Sequence, residues 1–180
     1  MATSPIPNLV RDPPRCMMVT GPRGAGKTHW IQQRILALTG ATKTRVSFGV
    51  LLQEEGRTRM ENFTAARPNL VLRKLALPCP CCPGLAGLPL EARAFVEATS
   101  MDWLFVEMPM DAAFGLLADF DRELGWPRSL TICLNPAWSR AWRRRALSPF
   151  QLQLLTQADN VIESVSASPV PSSLSLYDSS

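Results

Sequence analysis

The stretch GPRGAGKT at residues 21–28 matches the pattern G-x-x-x-x-G-K-[ST] at every fixed position. An apolar run at residues 16–20 precedes it, and an amphipathic run at residues 27–39 follows it. A glycine-rich turn can match the pattern by chance, but a preceding strand and a following helix are the context that a phosphate-binding loop requires. The stretch therefore predicts a P-loop.

The residue types of this loop suit a nucleotide phosphate. Glycines at positions 24 and 26 let backbone N–H groups converge on phosphate oxygens without a Cβ atom in the way. The helix N-terminus adds partial positive charge. Lys27 is expected to bridge the β- and γ-phosphates and to act in catalysis, and the Thr28 hydroxyl to bind Mg²⁺. The predicted nucleotide-binding residues are Gly21, Gly24, Ala25, Gly26, Lys27 and Thr28.

Short apolar runs alternate with helix-like stretches along the rest of the chain. Strands are predicted at residues 16–20, 46–52, 70–75, 103–108, 130–134 and 160–162. Helices are predicted at residues 27–39, 89–98 and 112–124 and from Ser148 onward, with Gly40 and Gly125 as stops. Because the strands are apolar without strict alternation, they are expected in a mainly parallel central sheet. The prediction is a three-layer α/β fold of the P-loop NTPase class, with helices flanking the sheet.

Length and composition limit the classes of protein that remain. The expectation is a flexible segment at residues 1–15, one domain at residues 16–163 and a disordered serine-rich tail at residues 164–180. No apolar run approaches the roughly 18 residues of a membrane span, and the N-terminus lacks the apolar region of a signal peptide. A cytoplasmic protein without membrane contact is expected. The net charge of +4 suits an anionic ligand and is too small to indicate nucleic acid.

An acidic residue is expected near the magnesium ion of a P-loop. Glu107 lies at the end of the predicted strand 103–108, whereas Asp102 lies at its beginning. The carboxyl ends of the strands line the ligand crevice of open α/β sheets, so Glu107 is predicted to support the Mg²⁺ shell or its water and to act in catalysis. A solvated carboxylate at a strand end is the alternative.

Three of the five cysteines, Cys79, Cys81 and Cys82, lie within four positions. Thiols stay reduced in the cytosol, and adjacent cysteines form strained disulfides. Closely spaced thiolates suit Zn²⁺ or another thiophilic ion such as Cu(I), so a metal site is the favoured interpretation. A redox pair and simple packing stay open as alternatives. The other two cysteines, at positions 16 and 133, lie in apolar runs and are expected in the core.

Taken in order, these motifs resemble the GTPase domain of the CobW family, metal-handling P-loop proteins related to the HypB and UreG types. The matching features are the P-loop, the sequence QEEG at residues 53–56 followed by Glu61, the three clustered cysteines, Glu107, and Gln153 or Gln157 with Ala158 and Asp159. The resemblance implies a slow GTP or ATP hydrolase that binds and delivers a metal such as zinc. It also implies Glu54 as a fourth zinc ligand, with water as the alternative, and a moving switch at residues 54–61. A metalloprotein client and a second copy of the chain in a homodimer are the expected protein partners.

Departures from the family pattern leave two alternatives open. Met110 stands where the family has a glycine that senses the γ-phosphate, and residues 161–166 contain no guanine-binding N-K-x-D sequence. No counterpart of the family's C-terminal domain is present in these 180 residues. The choice between GTP and ATP is therefore open. The alternatives are a pseudo-GTPase that binds nucleotide without turnover, and a small P-loop kinase.

Overall fold

The computed structural model of the chain describes residues 12–41, 45–53, 59–75, 87–144 and 146–163. Strands and helices alternate along these ranges. The elements are β1 (Arg15–Thr20), α1 (Lys27–Ala41), β2 (Phe48–Leu52), α2 (Met60–Ala65), β3 (Leu70–Lys74), α3 (Gly87–Thr99), β4 (Trp103–Glu107), α4 (Ala113–Glu123), β5 (Arg128–Leu134), α5 (Pro136–Arg143), α6 (Pro149–Thr156) and β6 (Asn160–Glu163). All six predicted strands are confirmed, and each boundary differs from its prediction by at most two residues.

The six strands form one sheet in the order β3-β2-β4-β1-β5-β6, and every neighbouring pair is parallel. The strand before the P-loop, β1, lies between β4 and β5. Val19 of β1 is in register with Glu107 of β4 on one side and with Thr131 of β5 on the other. Because all the strands run in one direction, their carboxyl ends meet at a single edge of the sheet.

Helices cover both faces of this sheet. On one face, Ile31 and Ile35 of α1 belong to a buried cluster with Val19 and Phe105, and Met60 brings α2 into the same cluster. The other face packs against α3, α4, α5 and α6, which contribute Phe95, Phe120, Trp138 and Leu154 among others. Successive residues of β1 alternate between the two clusters, as the two-residue period of a strand requires. The three-layer prediction is therefore confirmed.

The predicted helix boundaries agree with the structure in two cases and not in a third. Gly125 has φ of 59°, and its N–H donates to the Asp121 carbonyl at 3.1 Å, which ends α4 as predicted. Ser148 begins α6 with a capping box, in which it exchanges hydrogen bonds with Gln151. Gly40 does not end α1, which continues to Ala41. Glycine lowers the stability of a helix without forbidding it, and the prediction of a stop there was wrong.

Within the described ranges, no helix has the length and apolar character needed to cross a bilayer. Cys16 and Cys133 are both buried in the sheet, which confirms their prediction as core residues.

The buried thiol of Cys16 predicts a loss of stability at alkaline pH. Burial raises the pKa of this thiol from 9.0 to about 12, so the unfolded chain loses the proton first. The resulting stabilisation is complete below pH 9 and disappears as the pH rises toward 12. As the pH rises from about 8 to about 10.5, the unfolding free energy should fall in both proteins. The fall should be smaller in Cys16→Ala than in the unmodified chain, by about 2 kcal/mol. Urea unfolding under reducing, metal-free conditions measures the difference, and equal losses in both proteins would contradict the assignment.

Candidate functional site

The P-loop connects the end of β1 to the start of α1 at the carboxyl edge of the sheet. Gly21 has φ of 146°, and a Cβ atom there would lie 2.0 Å from the carbonyl oxygen of Cys133 on β5. No other residue fits that position without moving the backbone. Gly24 and Gly26 also have positive φ, of 72° and 78°, and both are exposed. The loop therefore has the left-handed turns that direct successive N–H groups toward an anion.

Lys27 crosses the base of this loop. Its Nζ atom donates to the carbonyl oxygen of Gly21 at 3.0 Å and to that of Pro22 at 3.4 Å. The side chain is only 5% exposed, because the loop folds over it. The ammonium group and the N-terminus of α1 thus lie together at this edge of the sheet, and both favour a polyphosphate.

Thr28 and Glu107 are in direct contact. The Thr28 hydroxyl donates to Oε2 of Glu107 at 2.8 Å, and both side chains are buried. The two residues meet because β4 pairs with β1. The Thr20 hydroxyl also donates to the Met108 carbonyl at 3.1 Å, which joins the ends of these two strands. A hydroxyl and a carboxylate are hard oxygen donors of the kind that Mg²⁺ prefers, so this pair fits a magnesium ion.

Two of the acidic residues considered from sequence lie away from this pair. Asp102 is at the opposite edge of the sheet, where its carboxylate accepts hydrogen bonds from the backbone and the hydroxyl of Ser47, both at 2.7 Å. Asp159 accepts from the Leu130 backbone N–H at 2.6 Å, just before β6. Both carboxylates join elements of the fold at the amino ends of strands. The A-D pair of the resemblance therefore lies outside the site.

Glu61 is at the first turn of α2 and forms an ion pair with Lys74 at the end of β3. A hydrogen bond from Lys74 lowers the pKa of the Glu61 carboxyl. Both side chains are exposed, so this pair contributes little to stability. Met110 is buried among the apolar side chains between the sheet and α4, which explains its residue type as packing.

The predicted zinc ligands Cys79, Cys81, Cys82 and Glu54 lie outside the described residues. Within the ranges that the structure describes, no three His, Cys, Asp or Glu side chains gather in a way that could hold a metal ion. The placement of the flanking elements is known: β2 ends at Leu52, β3 ends at Lys74, and α3 begins at Gly87.

Two further polar residues lie at this edge, and no site role was assigned to either side chain from the sequence. Gln53 follows β2, and its backbone N–H donates to the Glu107 carbonyl at 3.3 Å. Asn135 follows β5 and caps α5, with its side-chain oxygen accepting from the Trp138 N–H at 3.0 Å. The Asn-Pro pair at residues 135–136 is a helix-start signal that could have indicated α5. From the sequence, Gln53 stands out only as the first residue of QEEG at residues 53–56, a stretch that carries part of the CobW resemblance.

The arginines of α5 are on its exposed side. Arg140 and Arg143 are exposed, while Trp138 and Trp142 pack against the core. Arg143 donates to the Glu163 carboxylate of β6 at 2.6 Å. The segment is thus an amphipathic helix with a solvated basic face.

Comparison with known proteins supports the fold. No protein-family model matches the chain, and no curated protein matches it in sequence. Among solved structures, the chain is similar to the signal recognition particle receptor FtsY from Elizabethkingia anophelis, with a TM-score of 0.56 and 13% identity over 85% of this chain and 51% of that one. It is also similar to the hydrogenase maturation factor HypB from Archaeoglobus fulgidus, with a TM-score of 0.55 and 13% identity over 83% of this chain and 65% of that one.

A second FtsY structure from Elizabethkingia anophelis, in complex with GDP, has a TM-score of 0.55 and 14% identity over 85% of this chain and 49% of that one. The chain spans about half the length of the FtsY structures that it matches. At this level of identity the likeness concerns the fold. Together with the sheet order and the loop at residues 21–28, it assigns the chain to the three-layer α/β fold of the P-loop NTPases.

Proposed function

We propose that this chain binds a nucleoside triphosphate together with Mg²⁺ and hydrolyses it slowly. The observation that carries the proposal is the convergence of three buried polar side chains at the end of β1. Lys27 lies in the P-loop, Thr28 follows it, and the Glu107 carboxylate reaches the Thr28 hydroxyl from the neighbouring strand. Buried polar groups are hydrogen-bonded in native proteins, and these three are bonded within the loop and to each other at the point where the loop begins the helix.

Each of these groups has a role that follows from its chemistry. The loop N–H groups and the start of α1 bind phosphate oxygens, and Lys27 exchanges its carbonyl partners for the β- and γ-phosphates. The Thr28 hydroxyl donates its proton to Glu107, which leaves its oxygen lone pairs to accept or to bind a cation. Thr28 and Glu107 would hold Mg²⁺, directly or through its water. When bound, the ion neutralises charge on the β- and γ-phosphates.

A guanine nucleotide is the first candidate for the base. The support is the similar FtsY structure in complex with GDP, together with the resemblance to CobW-type GTPases. ATP is the alternative, because residues 161–166 contain no N-K-x-D sequence. Parallel titrations with fluorescent GTP and ATP analogues in the presence of Mg²⁺ distinguish them. Absence of binding to both would overturn the proposed function, and binding without phosphate release would indicate a pseudo-GTPase.

The nucleotide state is proposed to be coupled to a thiophilic metal, with zinc as cargo for a metalloprotein client. The proposed ligands are Cys79, Cys81, Cys82 and Glu54. The support is their spacing, the resemblance to metal-handling proteins, and the order of the sheet. Because β2 and β3 run parallel to β1, their last residues, Leu52 and Lys74, lie at the same edge of the sheet as the P-loop. The similar HypB structure is that of a maturation factor for another protein.

Zinc should therefore change nucleotide affinity in a cysteine-dependent way. Coupling free energies of 1–3 kcal/mol are typical, so adding Zn²⁺ should shift the apparent Kd of a fluorescent triphosphate by about 5- to 150-fold. Replacing Cys79, Cys81 and Cys82 together by serine should abolish the shift and leave zinc-free affinity unchanged. Cys16→Ala is the matched control, since that thiol is buried in β1. A zinc-indifferent Kd in the unmodified chain would remove the coupling and leave nucleotide binding intact.

A further inference from the structure

The side-chain amide of Gln53 is an anomaly in this fold. Both of its polar atoms, Oε1 and Nε2, are shielded from solvent, and neither has a hydrogen-bond partner in the part of the chain that the structure describes. A buried donor or acceptor without a partner destabilises a protein. Native proteins keep such groups rarely, and a catalytic role or an absent water or ion is the usual reason.

Three other side chains share this property among the described residues: Arg34, Thr131 and Ser139. Each has a single unpaired atom of this kind, and in Thr131 and Ser139 that atom is a hydroxyl oxygen, which can both donate and accept. Gln53 differs in having two such atoms, the amide oxygen and the amide nitrogen. It is also the one of the four whose backbone bonds to a residue of the candidate site.

Gln53 lies directly beside the carboxylate strand. Leu52, the last residue of β2, is in register with Glu107, and the Gln53 N–H donates to the Glu107 carbonyl at 3.3 Å. Glu107 in turn contacts Thr28 at the start of α1. Only β4 separates β2 from β1, which places Gln53 about two strand spacings, roughly 10 Å, from the end of β1. The Gln53 backbone therefore lies one strand away from that of Glu107, at the carboxyl edge of the sheet where the P-loop also lies.

We propose that Gln53 positions the water that attacks the terminal phosphate of the bound nucleotide, an inference that rests on the proposed function. The amide oxygen accepts a hydrogen bond from the water, and the amide NH₂ group donates to an oxygen of that phosphate. One group with both capacities fixes the direction of attack. This use of the two atoms explains why the fold retains them without partners in the absence of nucleotide.

The step itself needs no further reactant. The water oxygen forms a bond to the terminal phosphorus, and the bond from that phosphorus to the bridging oxygen breaks. The bridging oxygen keeps its electron pair on the diphosphate, and the protons of the water leave with inorganic phosphate or pass to solvent. A neutral amide neither takes nor gives a proton here. Gln53 therefore contributes orientation, which raises kcat without raising nucleotide affinity.

The test compares Gln53→Met and Gln53→Glu with the unmodified chain. Methionine has a similar length and no comparable donor or acceptor, while glutamate keeps the acceptor. For Gln53→Met we expect kcat to fall by about 10- to 50-fold with KM and the Mg²⁺ requirement unchanged. Gln53→Glu should retain part of the activity. Without nucleotide, the midpoint of thermal unfolding should be higher for Gln53→Met than for the unmodified chain, because an unpaired amide has been removed.

A second measurement does not depend on turnover. Binding of the nucleoside diphosphate with aluminium fluoride and Mg²⁺ imitates the transition state, and Gln53→Met should weaken it by the same factor as kcat. Unchanged kcat and unchanged fluoride-complex binding in Gln53→Met would overturn the role of Gln53 and leave the proposed function intact. A fall in triphosphate affinity equal to the fall in kcat would also overturn it. An unmodified chain that binds no nucleotide would refute the proposed function and this inference together.

Discussion

Replacing Lys27 by alanine is expected to weaken binding of the Mg²⁺-bound triphosphate by about 10- to 150-fold. Hydrogen bonds that involve a charged group contribute about 1.5–3 kcal/mol, and each 1.4 kcal/mol is a factor of ten. In the structure the ammonium group donates to the Gly21 and Pro22 carbonyls of the loop itself, so it lies within the predicted phosphate site. Turnover should fall further, by about 10²–10³, because charge increases on the phosphates in the transition state.

Fluorescent-analogue titration and single-turnover phosphate release measure the two effects of Lys27→Ala. Arg122→Ala is a suitable control, because it removes an equal charge from an exposed position in the last turn of α4. The diphosphate should lose less affinity than the triphosphate, since Lys27 is expected to bridge the β- and γ-phosphates. Equal losses for Lys27→Ala and Arg122→Ala would mean that only the overall charge matters and that the loop does not bind phosphate.

The sequence was sufficient for the sheet because strands buried on both faces are apolar along their whole length. It was insufficient for α2 and α5. Met60 is the only residue of α2 that is buried, so this short helix has no apolar periodicity to detect. In α5, two tryptophans pack inward among exposed arginines. The Asn135-Pro136 start signal would have indicated this helix better than its apolar pattern. Short helices that depend on tertiary packing give weak local patterns.

The candidate site likewise has residues that a local sequence pattern predicts and features that depend on contacts between distant segments. Lys27, Thr28 and Glu107 belong to patterns whose meaning is local: a loop sequence and a carboxylate at the end of an apolar strand. Gly21 belongs to the same loop pattern, but the reason for its glycine is not local, because the atom that excludes a side chain there belongs to Cys133, more than a hundred residues later in the chain. The unpaired amide of Gln53 likewise becomes visible only when every buried polar atom is accounted for in three dimensions. Contacts between distant segments carry this information, and no single stretch contains it.

Glu107→Gln should change nucleotide binding in opposite directions with and without magnesium. The substitution keeps the shape of the side chain, and its amide can still accept from the Thr28 hydroxyl. With Mg²⁺, loss of a charged oxygen ligand or of its hold on a bound water should lower the affinity for the ion in the nucleotide complex by about 10- to 100-fold. Turnover should fall by about 10²–10³. Without Mg²⁺, triphosphate binding should tighten by about two- to tenfold, because a carboxylate no longer repels the phosphates.

Magnesium titrations of the nucleotide complex, repeated with chelator, measure both changes in Glu107→Gln. Asp102→Asn is the matched control, since it removes a carboxylate from the other end of the same strand, where that group accepts from Ser47. Asp102→Asn should lower the midpoint of thermal unfolding while leaving the Mg²⁺ dependence as in the unmodified chain. Two results would argue against a magnesium role for Glu107: an unchanged Mg²⁺ requirement in Glu107→Gln, or weaker triphosphate binding in chelator. In either case the buried contact with Thr28 would be structural, because only a carboxylate that shares its surroundings with an ion and a polyphosphate produces the reversal of sign.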